Sequence, residues 1–183
     1  MSRDLRKVLI IDIESTCWKS EDLKPAGEVH EIIELGCVLL DVKTKQILKT
    51  RSILVKPQHS KVSHFCTELT TITQDLLDQE GVSFQEAMET LRSEFKPRDI
   101  TWASYGDYDR IQIEKNCELY QVKNQLGRTH INIKNLFALK NNLTKEVGME
   151  GALKILGEIL EGQHHRGLAD AINISKILIK TLW

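Results

Sequence analysis

The stretch KVLIIDIE at residues 7–14 does most to limit what this chain can fold into. A continuous run of branched apolar residues reads as a strand buried on both faces, an interior strand of a sheet covered by helices. It ends in charge. Side chains two apart on a strand share a face, so Asp12 and Glu14 project together while Ile11 and Ile13 point the other way. Two carboxylates in one buried place would repel and would be costly to desolvate, but hard divalent cations such as magnesium need oxygen ligands of this kind. The D-x-E pattern by itself fits equally well a strand that merely finishes in polar residues.

The segments HEIIELGCVLLD at 30–41 and QILKTRSILVKP at 46–57 read as two further strands joined by a short polar turn, an antiparallel pair beside the first, with Pro57 closing the second. From 73 to 95 the apolar spacing becomes helical through Leu76, Leu77, Phe84, Met88, Leu91 and Phe95, and Pro97 stops it. A short strand at 100–105, a helix at 109–122, a brief strand at 130–133, a helix at 134–141, an amphipathic helix in GMEGALKILGEIL and a last helix at 167–181 follow. Three strands, a helix, then alternating strand and helix is the order of an α/β domain, a mixed β-sheet with helices on both faces. The ribonuclease H-like fold has this order.

With 183 residues, 41% of them apolar and 28% charged, the chain has the size for one domain, 1–183, with a sizeable core. A net charge of -1 argues against a tight nonspecific duplex binder, so a nucleic-acid partner has to be held by local charge and bound cations. Cys17, Cys37, Cys66 and Cys117 are scattered without a C-x-x-C pair, which fits a reducing, cytoplasmic setting. The amino-terminal apolar run is too short for a signal segment or a membrane span, so no membrane association is expected.

Two more acids stand at helix starts. Asp109 heads a stripe continued by Ile113, Cys117 and Tyr120, and Asp170 heads one continued by Ile174, Ile177 and Leu178, so both point inward. An aspartate at a helix start is also an ordinary N-cap, and Asp107 competes with Asp109 for either role. Buried acids without partners are rare, and two helices each presenting one toward the first strand argue for shared cations. His165, five residues before Asp170 with Gly167 between them, sits in a loop beside the last helix and can take the proton of an attacking water. A loop histidine is commonly just solvated, and His164 lies beside it.

DIEST at 12–16, the pair Tyr108 and Asp109, and H-x-x-x-x-D at 165–170 together resemble the DEDDh family of 3′–5′ exonucleases. Longer segments, among them HEIIELGCVLLD, SHFCTELTTITQ, HINIKNLF and HHRGLADAINISKI, look like the branch that includes the histone-messenger and small-interfering-RNA exonucleases. The resemblance implies that Asp12, Glu14, Asp109 and Asp170 are metal ligands for two divalent cations, magnesium or manganese, and that His165 is the general base. It implies that Phe65 and Tyr108 contact the terminal nucleotide, although each is also of a type that packs in cores. The expected partners are single-stranded nucleic-acid 3′ ends, RNA before DNA; protein partners are not legible. Thr71 stands where the branch usually has glycine, Ala169 where it often has another aspartate, and no additional RNA-binding module is expected.

The expected activity is therefore metal-dependent hydrolysis of phosphodiester bonds from the 3′ end with release of nucleoside 5′-monophosphates. Two rival readings are a 3′–5′ exodeoxyribonuclease, since the same chemistry cuts either backbone, and a noncatalytic module that binds nucleic-acid ends. A complete set of four acids counts against the second.

Overall fold

The computed structural model describes residues 4–183, so the first three residues of the amino-terminal segment read above lie outside the described residues. Five strands form one sheet in the order β3-β2-β1-β4-β5. Strand β1 (Lys7–Ser15) pairs antiparallel with β2 (Ile32–Asp41), and β2 pairs antiparallel with β3 (Gln46–Leu54). On its other edge β1 runs parallel to β4 (Thr101–Ser104), and β4 runs parallel to β5 (His130–Asn132). The mixed sheet is the expected one.

The period-two alternation of β1 builds two apolar layers. Leu9, Ile11 and Ile13 join Phe84, Met88 and Leu91 of α3 (Phe84–Phe95) and Ile113 of α4 (Tyr108–Leu119) on one face. Val8 and Ile10 join Phe137 of α5 (Ile133–Lys140), Leu153 of α6 (Met149–Leu156) and Ile174 and Ile177 of α7 (Gly167–Leu182) on the other. Each such fully buried side chain contributes about 1.5–3 kcal/mol, which is why the sheet is a rigid platform. Asp12 continues the Val8 and Ile10 register and so emerges on the α7 side.

The single helix expected over 73–95 is two helices, α2 (Gln74–Glu80) and α3, separated at Gly81–Ser83. Two local interactions overrule the helical spacing. Val82 bridges Val55 beyond the end of β3, and Ser83 caps α3 in a reciprocal box with Glu86. The chain also forms α1 (His64–Thr70), a helix the periodicity does not reveal, capped by Ser63 Oγ accepting from Cys66 N at 3.0 Å. Helix α6 stops at Leu156 because Gly157 takes φ 69° and ends it, short of the apolar run that continues to Leu160.

One contact fixes where α7 lies. Gly36 of β2 is the register partner of Asp12, and a Cβ at Gly36 would come within 1.9 Å of the Gly167 carbonyl carbon. Only paired glycines let the first turn of α7 rest directly on the sheet beside Asp12.

Candidate active site

Beyond Ile10 the β4 side of β1 has no strand partner, because β4 pairs only with Val8, Leu9 and Ile10. Helix α4 fills that gap. Asp109, in its first turn, accepts a 3.0 Å hydrogen bond from the Ile13 N–H through Oδ1, so a side chain continues the satisfaction of the strand. Asp107, the competitor for this position, turns outward to Arg110 and to Asn132, whose Nδ2 donates to it at 3.1 Å.

Helix α7 brings the last acid. Its N-cap residue, Arg166, makes no side-chain cap; instead Glu34 of β2 accepts the Gly167 N–H at 3.0 Å and Arg166 Nε at 2.9 Å through one oxygen. Ser52 Oγ donates to its other oxygen at 2.6 Å. Glu34 is 1% exposed and stands opposite Glu14 in register. Held in this way, Asp170 points down toward β1.

Asp12, Glu14, Tyr108, Asp109, His165 and Asp170 all line one cavity of about 280 Å³. Carboxylate oxygens of Asp12, Glu14 and Asp170 lie within 4.8 Å of one another; Asp109 stands beside Asp12 with one oxygen committed to Ile13. Burial, and then the Asp109 and Glu14 charges, hold the Asp12 carboxyl well above its ordinary range. Burial, followed by Asp170 and Glu34, pushes Glu14 up to about 8, and burial pushes Asp109 up to about 7. Asp170 is raised by burial against the opposing pull of His164. Among the described residues no lysine or arginine lines this cavity to neutralise the acids. An all-oxygen set of mutually repelling carboxylates fits a hard divalent cation of the magnesium or manganese class.

His165 reaches the same cavity, and its ring has no hydrogen-bond partner among the described residues. Burial, then the neighbouring His164, lowers its pKa, which keeps the imidazole neutral and able to accept a proton. Tyr108 is 54% exposed at the cavity mouth, its hydroxyl 2.7 Å from Ser15 Oγ. Phe65 is half-buried on α1 and does not line the cavity.

Three residues had no role in the sequence reading. His164, not His165, places its ring against Asp170, with Nδ1 3.0 and 3.2 Å from the two oxygens. Its convergence follows from the left-handed backbone of His165 (φ 61°), which the sequence does not announce. Glu34 was hidden inside an apolar strand, although an acid amid EIIELG is itself a readable anomaly. Ser15 lies within DIEST, but nothing in the sequence announces its hydrogen bond to the Tyr108 hydroxyl.

Comparison with known proteins gives a consistent picture. The exonuclease family model RNase_T matches residues 9–178. The mouse protein 3′-5′ exoribonuclease 1 is 32% identical over 96% of this chain, which spans about half, 52%, of that protein's length. The nuclease domain of 3′hExo, a DEDDh family member solved with rAMP, superposes with a TM-score of 0.86 at 28% identity, covering 100% of this chain and 94% of that one. A structure concerned with 3′-end specific recognition of the histone mRNA stem-loop by 3′-exonuclease superposes at 0.85 with 28% identity, over 97% and 82% of the two chains. The α/β fold observed is thus the ribonuclease H-like fold of these exonucleases, with helices on both faces of the mixed sheet.

Proposed function

We propose, from the premise that the chain belongs to the RNase_T exonuclease family, that it is a divalent-metal-dependent 3′–5′ exonuclease acting on RNA in preference to DNA. The observation that carries the reading is the convergence of Asp12, Glu14 and Asp170 from a strand end and a helix start, with Asp109 and His165 on the same cavity. Binding alone needs no such concentration of buried acid. The RNA preference draws on the relatives, whose names describe an exoribonuclease and recognition of a messenger-RNA stem-loop.

Asp12, Glu14, Asp109 and Asp170 would hold the ions, two in number on this reading, magnesium or manganese. When bound, such ions neutralise the charge of the scissile phosphate and make an attacking water more acidic. The protein's own contribution is orientation and proton transfer. His165 accepts the proton of the water through a ring nitrogen, being neutral near pH 7. Tyr108, tethered by Ser15, offers an aromatic face at the mouth for the terminal base, and Phe65 on α1 is a candidate for a second contact. Attack of water on phosphorus with departure of the 3′ oxygen releases a nucleoside 5′-monophosphate and leaves a chain one residue shorter.

Four free thiols support a reducing, cytoplasmic setting, and no helix among the described residues is long and apolar enough to cross a membrane.

Digestion of a 5′-labelled single-stranded RNA and its DNA counterpart with magnesium or manganese, with and without chelator, tests the proposal. A chelator-sensitive ladder that shortens from the 3′ end, faster on RNA, is expected. Faster digestion of DNA would make the chain an exodeoxyribonuclease, and no digestion with either metal would make it a noncatalytic end-binding module.

A further inference from the structure

We propose that Cys17 and Cys66 are a thiol–disulfide modification site, and that closing the bond between them loosens the chain's hold on the terminal nucleotide. Both are reduced in this structure. Cys17 directly follows the segment DIEST, and Cys66 lies in the first turn of α1. One hydroxyl ties the two segments together, since Ser63 Oγ donates to the Cys17 carbonyl at 2.6 Å and accepts the Cys66 N–H at 3.0 Å.

The sulfurs meet beside that tie. Cys17 packs against the apolar cluster of Ile33, Cys66, Ile72 and Leu77, and its thiol hydrogen-bonds the Cys66 sulfur. Cys66 Sγ also donates to the Ser15 carbonyl at 3.5 Å, so it is lodged against the backbone of 15–17. A disulfide shortens the contact between the sulfurs to about 2.05 Å. Cys66 is held in a helix, so residue 17 is the end that gives.

Exposure divides the labour between the two thiols. Cys17 is partly exposed, whereas Cys66 is fully buried. The hydrogen bond from Cys17, chiefly, brings the Cys66 thiol down to about 7, and the same bond raises that of Cys17. The co-reactant is a small disulfide of the glutathione class. Cys17 Sγ attacks one of its sulfurs as the Cys17 proton passes to the Cys66 thiolate, and one thiolate leaves to be protonated from solvent. Cys66 Sγ then attacks Cys17 Sγ, its proton going to the second departing thiol. Two protein thiols are oxidised and one small disulfide is reduced to two thiols. Cys37 and Cys117 offer no such route, for both are buried in the core beneath α3 and burial pushes each thiol up to about 12.

The consequence for activity rests on the exonuclease reading. Ser15 holds the Tyr108 hydroxyl through its side chain and receives the Cys66 S–H through its carbonyl. A disulfide removes that S–H and draws residue 17 toward α1, so Ser15 turns and the aromatic contact at the cavity mouth is lost. Such a contact with a base accounts for about fivefold or more in binding. In a reducing compartment the bond is transient, as a reversible control requires.

Peptide mass mapping of the full chain after incubation with excess oxidised glutathione reads the site without any nucleic acid. A Cys17–Cys66 cross-linked peptide is expected, with Cys37 and Cys117 still free to alkylate after unfolding. In Cys66→Ser the reaction should stop with glutathione bound to Cys17; should that variant not fold, Cys17→Ser should leave Cys66 a free thiol. A parent chain that stays reduced, or that keeps glutathione on Cys17 beside an alkylatable Cys66, overturns the proposal, as does modification of Cys66 in Cys17→Ser. With single-stranded RNA the cross-linked chain should show a KM higher by about fivefold or more, restored by dithiothreitol and not seen in glutathione-treated Cys17→Ser. An unchanged KM in the fully cross-linked chain would refute the control of substrate binding. Because the mapping involves no RNA, failure of the disulfide site and failure of the exonuclease reading remain distinguishable.

Discussion

At Thr71 the chain takes φ 62°, a left-handed conformation that costs a residue with a Cβ about 1–2 kcal/mol and suits a β-branched one least. Its side chain is exposed, so packing does not compensate. Thr71→Gly is expected to stabilise the fold by about 0.5–1 kcal/mol in urea unfolding, the remainder being offset by the freer unfolded chain. No gain would mean that the turn is relaxed as it stands. His165 carries a different prediction. On its proposed role as general base, whose removal costs about 10²–10⁴-fold, His165→Asn should lose that much kcat while magnesium binding, an oxygen affair, is retained. Calorimetry with magnesium beside the rate assay checks both halves. The four acids were legible in the sequence because each sits where periodicity dictates its direction: Asp12 and Glu14 by the alternation of a strand, Asp109 and Asp170 at the heads of apolar stripes. His164 was not, since its direction depends on one backbone angle of its neighbour. The half-buried Phe65 lies on α1 outside the residues that line the cavity, and its proposed contact with the nucleotide comes from likeness and not from periodicity.

Among elements, α7 matters most to the site, and its seat is the Gly36–Gly167 contact. Gly36→Ala would set a methyl group 1.9 Å from the Gly167 carbonyl carbon, backbone against backbone, so the helix has to lift. Overpacking of this kind costs about 1–3 kcal/mol or more, and a displacement of about 1 Å at Asp170 costs on the order of 10²-fold in rate. We expect Gly36→Ala to show both, a lowered midpoint in thermal unfolding and a loss of exonuclease activity that exceeds the unfolded fraction. Activity lost only in proportion to unfolding would show that α7 does not set the geometry. The glycines were visible in the sequence, but a close approach between residues 36 and 167 is a long-range fact that no local pattern encodes. For the same reason the break between α2 and α3 went unread. Helical spacing runs through it, and what interrupts it is a bridge from Val82 to Val55 on a distant segment. Ser83 with Glu86, by contrast, is a capping box that local reading can find.

For the molecule as a whole, the buried acids should couple stability to pH and to metal. Glu14 has a folded pKa of about 8 against an ordinary 4.5, and Asp109 about 7 against 3.8, both raised chiefly by burial. Over that window the folded, metal-free chain binds more protons than the unfolded one, so stability is highest below pH 4 as far as these groups are concerned and falls as pH rises toward 8. Above about pH 8 the slope from these groups ends, with the carboxylates ionised and uncompensated. On the proposed metal role, a divalent cation would take the place of the protons, so it would bind the folded state better as pH rises and stabilise it by mass action. The midpoint shift produced by magnesium in a thermal melt should therefore grow from pH 5.5 to pH 8.5. Glu14→Gln, which cannot ionise, should melt higher than the parent chain without metal at pH 8.5, respond less to magnesium and digest RNA far more slowly. That combination, a more stable protein with a failed site, is what a cluster kept for chemistry at the expense of the fold requires. A magnesium shift that is the same at both pH values, or a Glu14→Gln chain less stable than its parent, would mean that these carboxylates are already paired and do not await a cation.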